Sequence, residues 1–191
     1  MLIGILQTTG ASEGAFRSEE RSEDETAGDD RLRGSNGSDA LIGLGGNDIL
    51  LGLRGADAMS GGDGRDAVLG GNERGPKSGD KSLDGGAGGD FVGGGRGADA
   101  MNGGAGPDYL FAGPPNEGAS DVDAITAGSG NDAIFARNVP AARDVIDCGG
   151  GFDRVLVDSK DITTGCERTF TSFNRFFNAI PDSYFAPLNN L

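Results

Sequence analysis

The 191-residue chain has no histidine and no tryptophan, and only two cysteines and two tyrosines. Without His it lacks the commonest general base and the commonest transition-metal ligand, so a Ser-His-Asp triad, a Cys-His dyad and an H-E-x-x-H zinc site are all excluded. Cationic side chains are also scarce. Sixteen Lys and Arg face 30 Asp and Glu, for a net charge of −14. That balance argues against nucleic acid and anionic membrane surfaces, because phosphate binding exchanges counterions for Lys and Arg. No run approaches the roughly 18 apolar residues of a membrane span. Carboxylates and 37 glycines are in excess, with no Gly-X-Y period and only seven prolines, so the chain is not collagen. Carboxylates suit hard cations, and an inorganic cation is the partner this charge favours.

The glycines are periodic. Gly34 to Ile42 is followed, nine residues on, by Gly43 to Leu51, Gly52 to Ser60 and Gly61 to Leu69, each fitting G-G-x-G-x-D-x-U-x with U a large aliphatic residue. The register continues through Gly85 to Gly93, Gly94 to Asn102, Gly103 to Phe111 and Ala127 to Phe135. Weaker units open and close the series, at Glu25 to Arg33 and Cys148 to Leu156. Gly70 to Asp84 and Ala112 to Thr126 have fifteen residues each, which fit nine when six are inserted in the turn, and Ala136 to Asp147 carries three extra. With that alignment all thirteen U positions are aliphatic, from Leu32 and Leu41 through to Ile146 and Val155. Twelve of the thirteen sixth positions are Asp, and the exception is Lys81.

The residues around U form a short strand whose alternation sends U to one face, and the Gly-rich remainder forms a turn that needs positive φ. Two units then make one coil of a flat solenoid. Strands of this kind leave a core that is thin for the chain's length, so a further source of stability is expected.

The repeat resembles the repeat-in-toxin, or haemolysin-type, calcium-binding nonapeptide family over about residues 25 to 156. The resemblance implies an all-β fold: a right-handed parallel β-roll of about thirteen units in which units of like parity stack, with a C-terminal cap and a short C-terminal helix. It also identifies the cation as calcium, several ions per chain, about 6–9, held between stacked turns by carboxylates and main-chain carbonyls. Two carboxylates one strand spacing apart, about 4.8 Å, repel by roughly 3.5 kcal/mol at an effective dielectric of 20, which a cation between them reverses. Folding coupled to metal binding follows as an expectation.

Parity divides the ligand candidates. One edge of the roll is uninterrupted and carries Asp30, Asp48, Asp66, Asp90, Asp108, Asp132 and Asp153. The other takes all three insertions and carries Asp39, Asp57, Lys81, Asp99, Asp123 and Asp144. Lys81 has no lone pair, so it is expected to alter the sites beside it, or to stand between Asp57 and Asp99 as a fixed counterion. The pairs of Asp123 with Asp99 and with Asp144 are weaker candidates than Asp39 with Asp57. The alternative use of the same residues is Asx-turn capping without metal.

The outward positions divide the same way. One sheet should show Ile49, Leu51, Leu69, Phe91, Tyr109, Phe111 and Phe135, an apolar ladder that calls for a cover, and the other mostly Ala, Ser, Asn, Thr and Asp. Phe170, Phe173, Phe176, Phe177 and Ile180 follow helical spacing up to Pro181, with Tyr184 and Phe185 beyond. This tail is read as a cover for the ladder or cap for the solenoid, the other use being a homodimer or partner interface. Cys148 and Cys166 suggest a disulfide tying the cap, against free structural thiols.

The chain thus divides into a flexible leader at 1–24, a calcium-binding roll at 25–156 and a capping segment with an aromatic tail at 157–191. Met1 to Thr9 is short for a signal peptide and lacks its basic region, although Leu2-Ile3-Gly4-Ile5-Leu6 before Ala11 resembles the remnant of one. Secretion or display at the cell surface is expected, because extracellular calcium suits modest-affinity sites. The chain is read as a structural or adhesive module and not an enzyme, since the repeats leave no segment large enough for a catalytic domain. A glycan- or surface-binding role for the apolar sheet face is the alternative.

Overall fold

The computed structural model describes residues 26–72, 79–80, 82–114, 121–138, 141–172 and 175–176. The leader at 1–24, Lys81, and the tail residues Phe173, Phe177, Ile180, Tyr184 and Phe185 lie outside these.

The chain coils into two parallel sheets. With strands numbered in chain order, the first sheet contains β1 (Arg31–Arg33), β3 (Ile49–Leu53), β5 (Ala67–Asn72), β7 (Phe91–Arg96), β9 (Tyr109–Phe111), β11 (Ala133–Phe135), β14 (Arg154–Leu156) and β16 (Arg168–Phe170), in that spatial order. The second contains β2 (Ala40–Gly45), β4 (Ala58–Gly64), β6 (Ser82–Gly88), β8 (Ala100–Ala105), β10 (Ala124–Gly130), β12 (Val145–Asp147) and β15 (Ile162–Thr164), with β13 (Gly150–Gly151) beside β10. Apart from β13, successive strands alternate between the sheets, so each neighbour is two units away, the all-β parallel solenoid expected from the period.

Register explains why one aliphatic residue per unit suffices. Leu32, Leu50, Val68, Val92, Leu110, Ile134 and Val155 pair in a single file across the first sheet. Leu41, Met59, Leu83, Met101, Ile125 and Ile146 do the same across the second. The two files meet as one core, buried throughout except for the partly covered Leu41. The coil runs past Leu156, for β15 and β16 add a further turn whose inward rungs are Thr163 and Thr169. The residues read as a cap therefore begin as one more turn of the same spiral, with polar β-branched rungs where aliphatic ones stood.

The long connections β5 to β6, β9 to β10 and β11 to β12 all cross from the first sheet to the second, so the insertions fall on one edge as parity required. On the outer face of the first sheet, Phe91, Tyr109, Ala133, Phe135 and Leu156 form a second buried cluster with Phe176, packed by Leu69, Phe111 and Phe170. Phe91 stacks on Tyr109 with ring centroids 5.2 Å apart, and Phe176 meets Phe135 and Phe170 edge-on at 6.3 and 5.9 Å. The tail thus covers the apolar ladder at Phe176, whose N–H donates to the Ser172 carbonyl. Of the expected helix, the described residues include only Arg175 and Phe176 in helical conformation.

Cys148 and Cys166 form a disulfide with Cα atoms 5.2 Å apart, and the Cys148 N–H donates to the Thr164 carbonyl. The bond joins the turn after β12 to the turn after β15, so it links the last two coils on one edge.

Candidate metal centre

The Asp of each unit sits just before its strand, and stacking brings these residues into two columns. In each column the backbone N–H of one Asp donates to Oδ1 of the Asp one coil further on. In the first column the bonds run from Asp30 to Asp48, Asp66, Asp90, Asp108, Asp132 and Asp153, at 2.8–2.9 Å. Asp153 N–H then donates to Glu167 Oε2 at 2.8 Å. In the second they run from Asp39 to Asp57, Asp80, Asp99, Asp123, Asp144 and Asp161, at 2.6–3.1 Å. Both the uninterrupted edge and the edge with insertions are continuous ladders. Their carboxylates bind across coils and not two residues along their own turn, unlike an Asx turn.

The second column corrects the reading of Lys81. Asp80, not Lys81, stands between Asp57 and Asp99, although Ser82 and Leu83 keep register with Ala58 and Met59. The ladder requires an acceptor at this rung for the Asp57 N–H, which a carboxylate supplies and an ammonium does not. The insertion therefore ends one residue earlier than nine-residue counting places it, and the edge has no cationic gap.

Oδ1 is thereby satisfied while Oδ2 is left over. The Oδ2 atoms of Asp48, Asp57, Asp66, Asp80, Asp90, Asp99, Asp108, Asp132 and Asp153 are buried without any hydrogen-bond partner. A buried acceptor left unpaired costs about 1–3 kcal/mol, and more when charged. Seven of them, from Asp48 to Asp108, point into a space also reached by a main-chain oxygen of the next coil. A Cβ on Gly43 would collide with Asp48 Oδ2 and the Gly61 carbonyl, and one on Gly61 would collide with Asp66 Oδ2 and the Gly85 carbonyl. Among the described residues no three Asp, Glu, His or Cys side chains gather, so a cation here would draw on main-chain carbonyls beside its carboxylates. Hard oxygen donors of this kind fit calcium.

The electrostatics mark the same positions. Burial pushes the carboxyl of Asp66 up to about 6, Asp90 to about 7, Asp108 to about 8 and Asp132 to about 7, against the opposing hydrogen bond from the preceding Asp. In the second column burial raises Asp80 to about 6, and Asp99 and Asp144 to about 7. Neighbouring carboxylates add to the rise in every case. These groups are held deprotonated at neutral pH only with difficulty unless positive charge lies nearby.

All twelve Asp residues read as ligand candidates lie in the two columns. Asp80, Asp161 and Glu167 also belong to them. Asp161 and Glu167 each precede a Thr by two residues, as each column Asp precedes its aliphatic rung, so the spacing carried the signal and the aliphatic requirement hid it.

The RTX calcium-binding nonapeptide repeat model matches in four copies, at residues 26–59, 42–74, 78–113 and 117–138, together more than half of the chain. The chain belongs to this family. RTX repeats in a β-roll suggest calcium binding, and such repeats are typical of extracellular proteins. No curated protein and no solved structure matches the chain. Among the described residues of this RTX chain no helix is long and apolar enough to cross a membrane.

Proposed function

We propose that this RTX chain is a secreted or cell-surface calcium module without catalytic activity, whose coils close on one another when ions enter the spaces between them. The observation that carries this is the set of nine orphaned Oδ2 atoms, seven of which are directed with a next-coil carbonyl into one space. Asp48, Asp66, Asp90, Asp108 and Asp132 would hold ions in the first column, and Asp57, Asp80 and Asp99 in the second. Bound calcium supplies the charge that keeps these carboxylates ionised and satisfies the leftover oxygen. Secretion follows from the disulfide, which persists in oxidising compartments, and from the calcium concentration outside cells.

The test is circular dichroism during a calcium titration, with magnesium as control and an Asp90→Ala, Asp108→Ala double variant in parallel. The expected result is a cooperative gain of β signal with calcium alone, weakened in the variant. A chain already folded and indifferent to calcium would overturn the reading.

A second reading concerns the outer face of the first sheet, where Leu69, Phe111 and Phe170 stay only partly buried beside the aromatic cluster. A homodimer, or a glycan or other surface ligand, would be met there. Sedimentation of the calcium-loaded chain decides for or against the dimer.

A further inference from the structure

The second oxygen of the column carboxylates is not orphaned everywhere. At the first coil, Asp30 Oδ2 accepts from the Thr26 N–H and hydroxyl at 3.1 and 3.2 Å, and Asp39 Oδ2 from the Ser35 N–H at 2.6 Å. At the last coil, Asp161 Oδ2 accepts from the Asp158 N–H at 2.8 Å. These are donors at the ends of the columns. Asp144 differs, for it lies inside the second column, bonded through Asp123 and Asp161 on either side, and is fully buried. Its Oδ2 accepts from the side-chain amide of Asn138 at 3.2 Å.

We propose that Asn138 closes the Asp144 site, its amide taking the carboxylate oxygen that a calcium ion would take at the rungs where Oδ2 is orphaned. This rests on the calcium reading above. Asn138 is itself buried, at 4% exposure, and reaches Asp144 because its unit, Ala136 to Asp147, has three residues beyond nine. The first residue of that unit is Ala136, which like Ala112 and Ala127 adds a Cβ where the units from Gly34 to Gly103 have a glycine. At Gly43, Gly61 and Gly94 the corresponding Cβ position is already crowded by the carboxylate and carbonyl oxygens of the site. The amide on Oδ2 works against an ion. Nearby, the Lys160 ammonium donates to the Ala141 carbonyl at 2.8 Å, so a main-chain oxygen of this connection is also taken by a protein donor. The insertion thus replaces a bound cation with built-in donors, and this edge binds fewer ions than it has rungs.

The experiment is calcium stoichiometry on the full chain by equilibrium dialysis, for the parent, Asn138→Ala and Asn138→Asp. Each variant frees Asp144 Oδ2, and Asn138→Asp adds a carboxylate, so one more ion per chain is expected, most clearly with Asn138→Asp. An unchanged count overturns the proposal. A count lower by one also overturns it, by making the Asn138 carbonyl oxygen a ligand. Should either variant fail to fold, the parent still decides by nuclear magnetic resonance. The Asn138 side-chain amide protons keep their shifts and slow exchange on calcium saturation if they remain on Asp144, and large changes there overturn the proposal. Failure of the calcium reading is seen separately, as absence of saturable calcium binding by the parent, and would remove both.

Discussion

The coils up to Asp108 and those after it share one backbone path but are held by different chemistry. In the earlier coils every unit from Gly34 to Gly103 opens on glycine, and seven of the nine orphaned carboxylate oxygens lie there, at Asp48, Asp57, Asp66, Asp80, Asp90, Asp99 and Asp108. In the later coils the same opening position is Ala112, Ala127, Ala136 and Cys148. There the structure substitutes a disulfide, the Asn138 amide, the aromatic cover of Phe135, Phe170 and Phe176, and Phe152 flanked by the Arg154 and Arg168 guanidinium groups at 5.1 and 5.7 Å. On the proposed calcium reading, the comparison teaches that a nonapeptide coil is a geometry which either an external ion or internal side chains can stabilise, with Asp132 behind Ala127 keeping the first arrangement among the later coils.

Chelation of calcium should separate the regions most sharply. The expected outcome is loss of amide protection from Arg31 to Phe111, with protection surviving longest between Val145 and Phe170, read by hydrogen exchange with the disulfide intact. Uniform loss or uniform survival would erase the distinction.

The metal-free chain should respond strongly to pH. Folded carboxyls raised to between about 6 and about 8 lie above their unfolded value of 3.8, so the folded state holds more protons. Their stabilising contribution is fully present below 3.8 and is lost as pH rises through the folded values. Without calcium, β signal should therefore increase on acidification from pH 8 to pH 4 (both approximate). Calcium binding needs the deprotonated form and should weaken over the same interval. A metal-free β signal that instead rises with pH would contradict the burial of the columns.

Smaller effects test single features. Cys148→Ser with Cys166→Ser should cost about 3 kcal/mol in denaturant unfolding of the calcium-loaded protein, confined to the last coils. Gly61→Ala sets a methyl against Asp66 Oδ2 and the Gly85 carbonyl and should cost about 1–3 kcal/mol with a fall in calcium affinity. Ala127→Gly, the reverse change in the later coils, should leave affinity higher or unchanged. Smallest is Leu44→Gly. Leu44 has a φ of 75°, a left-handed conformation taken by glycine at Gly62, Gly86 and Gly104, and its side chain is half exposed. Relief of that strain should raise the unfolding midpoint by the equivalent of about 1 kcal/mol.

Much of this was legible in the sequence. Thirteen aliphatic rungs at a fixed spacing imply two parallel files, and the core residues from Leu32 to Val155 occupy them. The placement of all insertions on one edge followed from counting units, and the disulfide from two cysteines bracketing the last turn. Asp80 was hidden because periodicity assigns residues within an insertion only to the nearest residue, whereas the ladder selects by hydrogen-bonding capacity. Thr163 and Thr169 were passed over because the rung was defined as aliphatic, although a β-branched hydroxyl residue also suits a strand at the solvent end of a core. Nothing in the spacing distinguishes Asn138 from any other turn residue, for its role depends on where an irregular connection delivers its amide.

The Asp ladder has a sense of direction. Every Asp rung presents its amide to the carboxylate of the coil that follows, while the residue after the Asp donates back to the main-chain carbonyl of the preceding rung. Shortening the protein from its beginning would take main-chain acceptors such as the Asp30 carbonyl from the next coil, whereas shortening it from its end would strip the carboxylate acceptor from the new last coil on both edges. Glu167 and Asp161 are the last carboxylate acceptors of the two columns among the described residues. A chain released end-first would bring these acceptors out before the coils that donate to them.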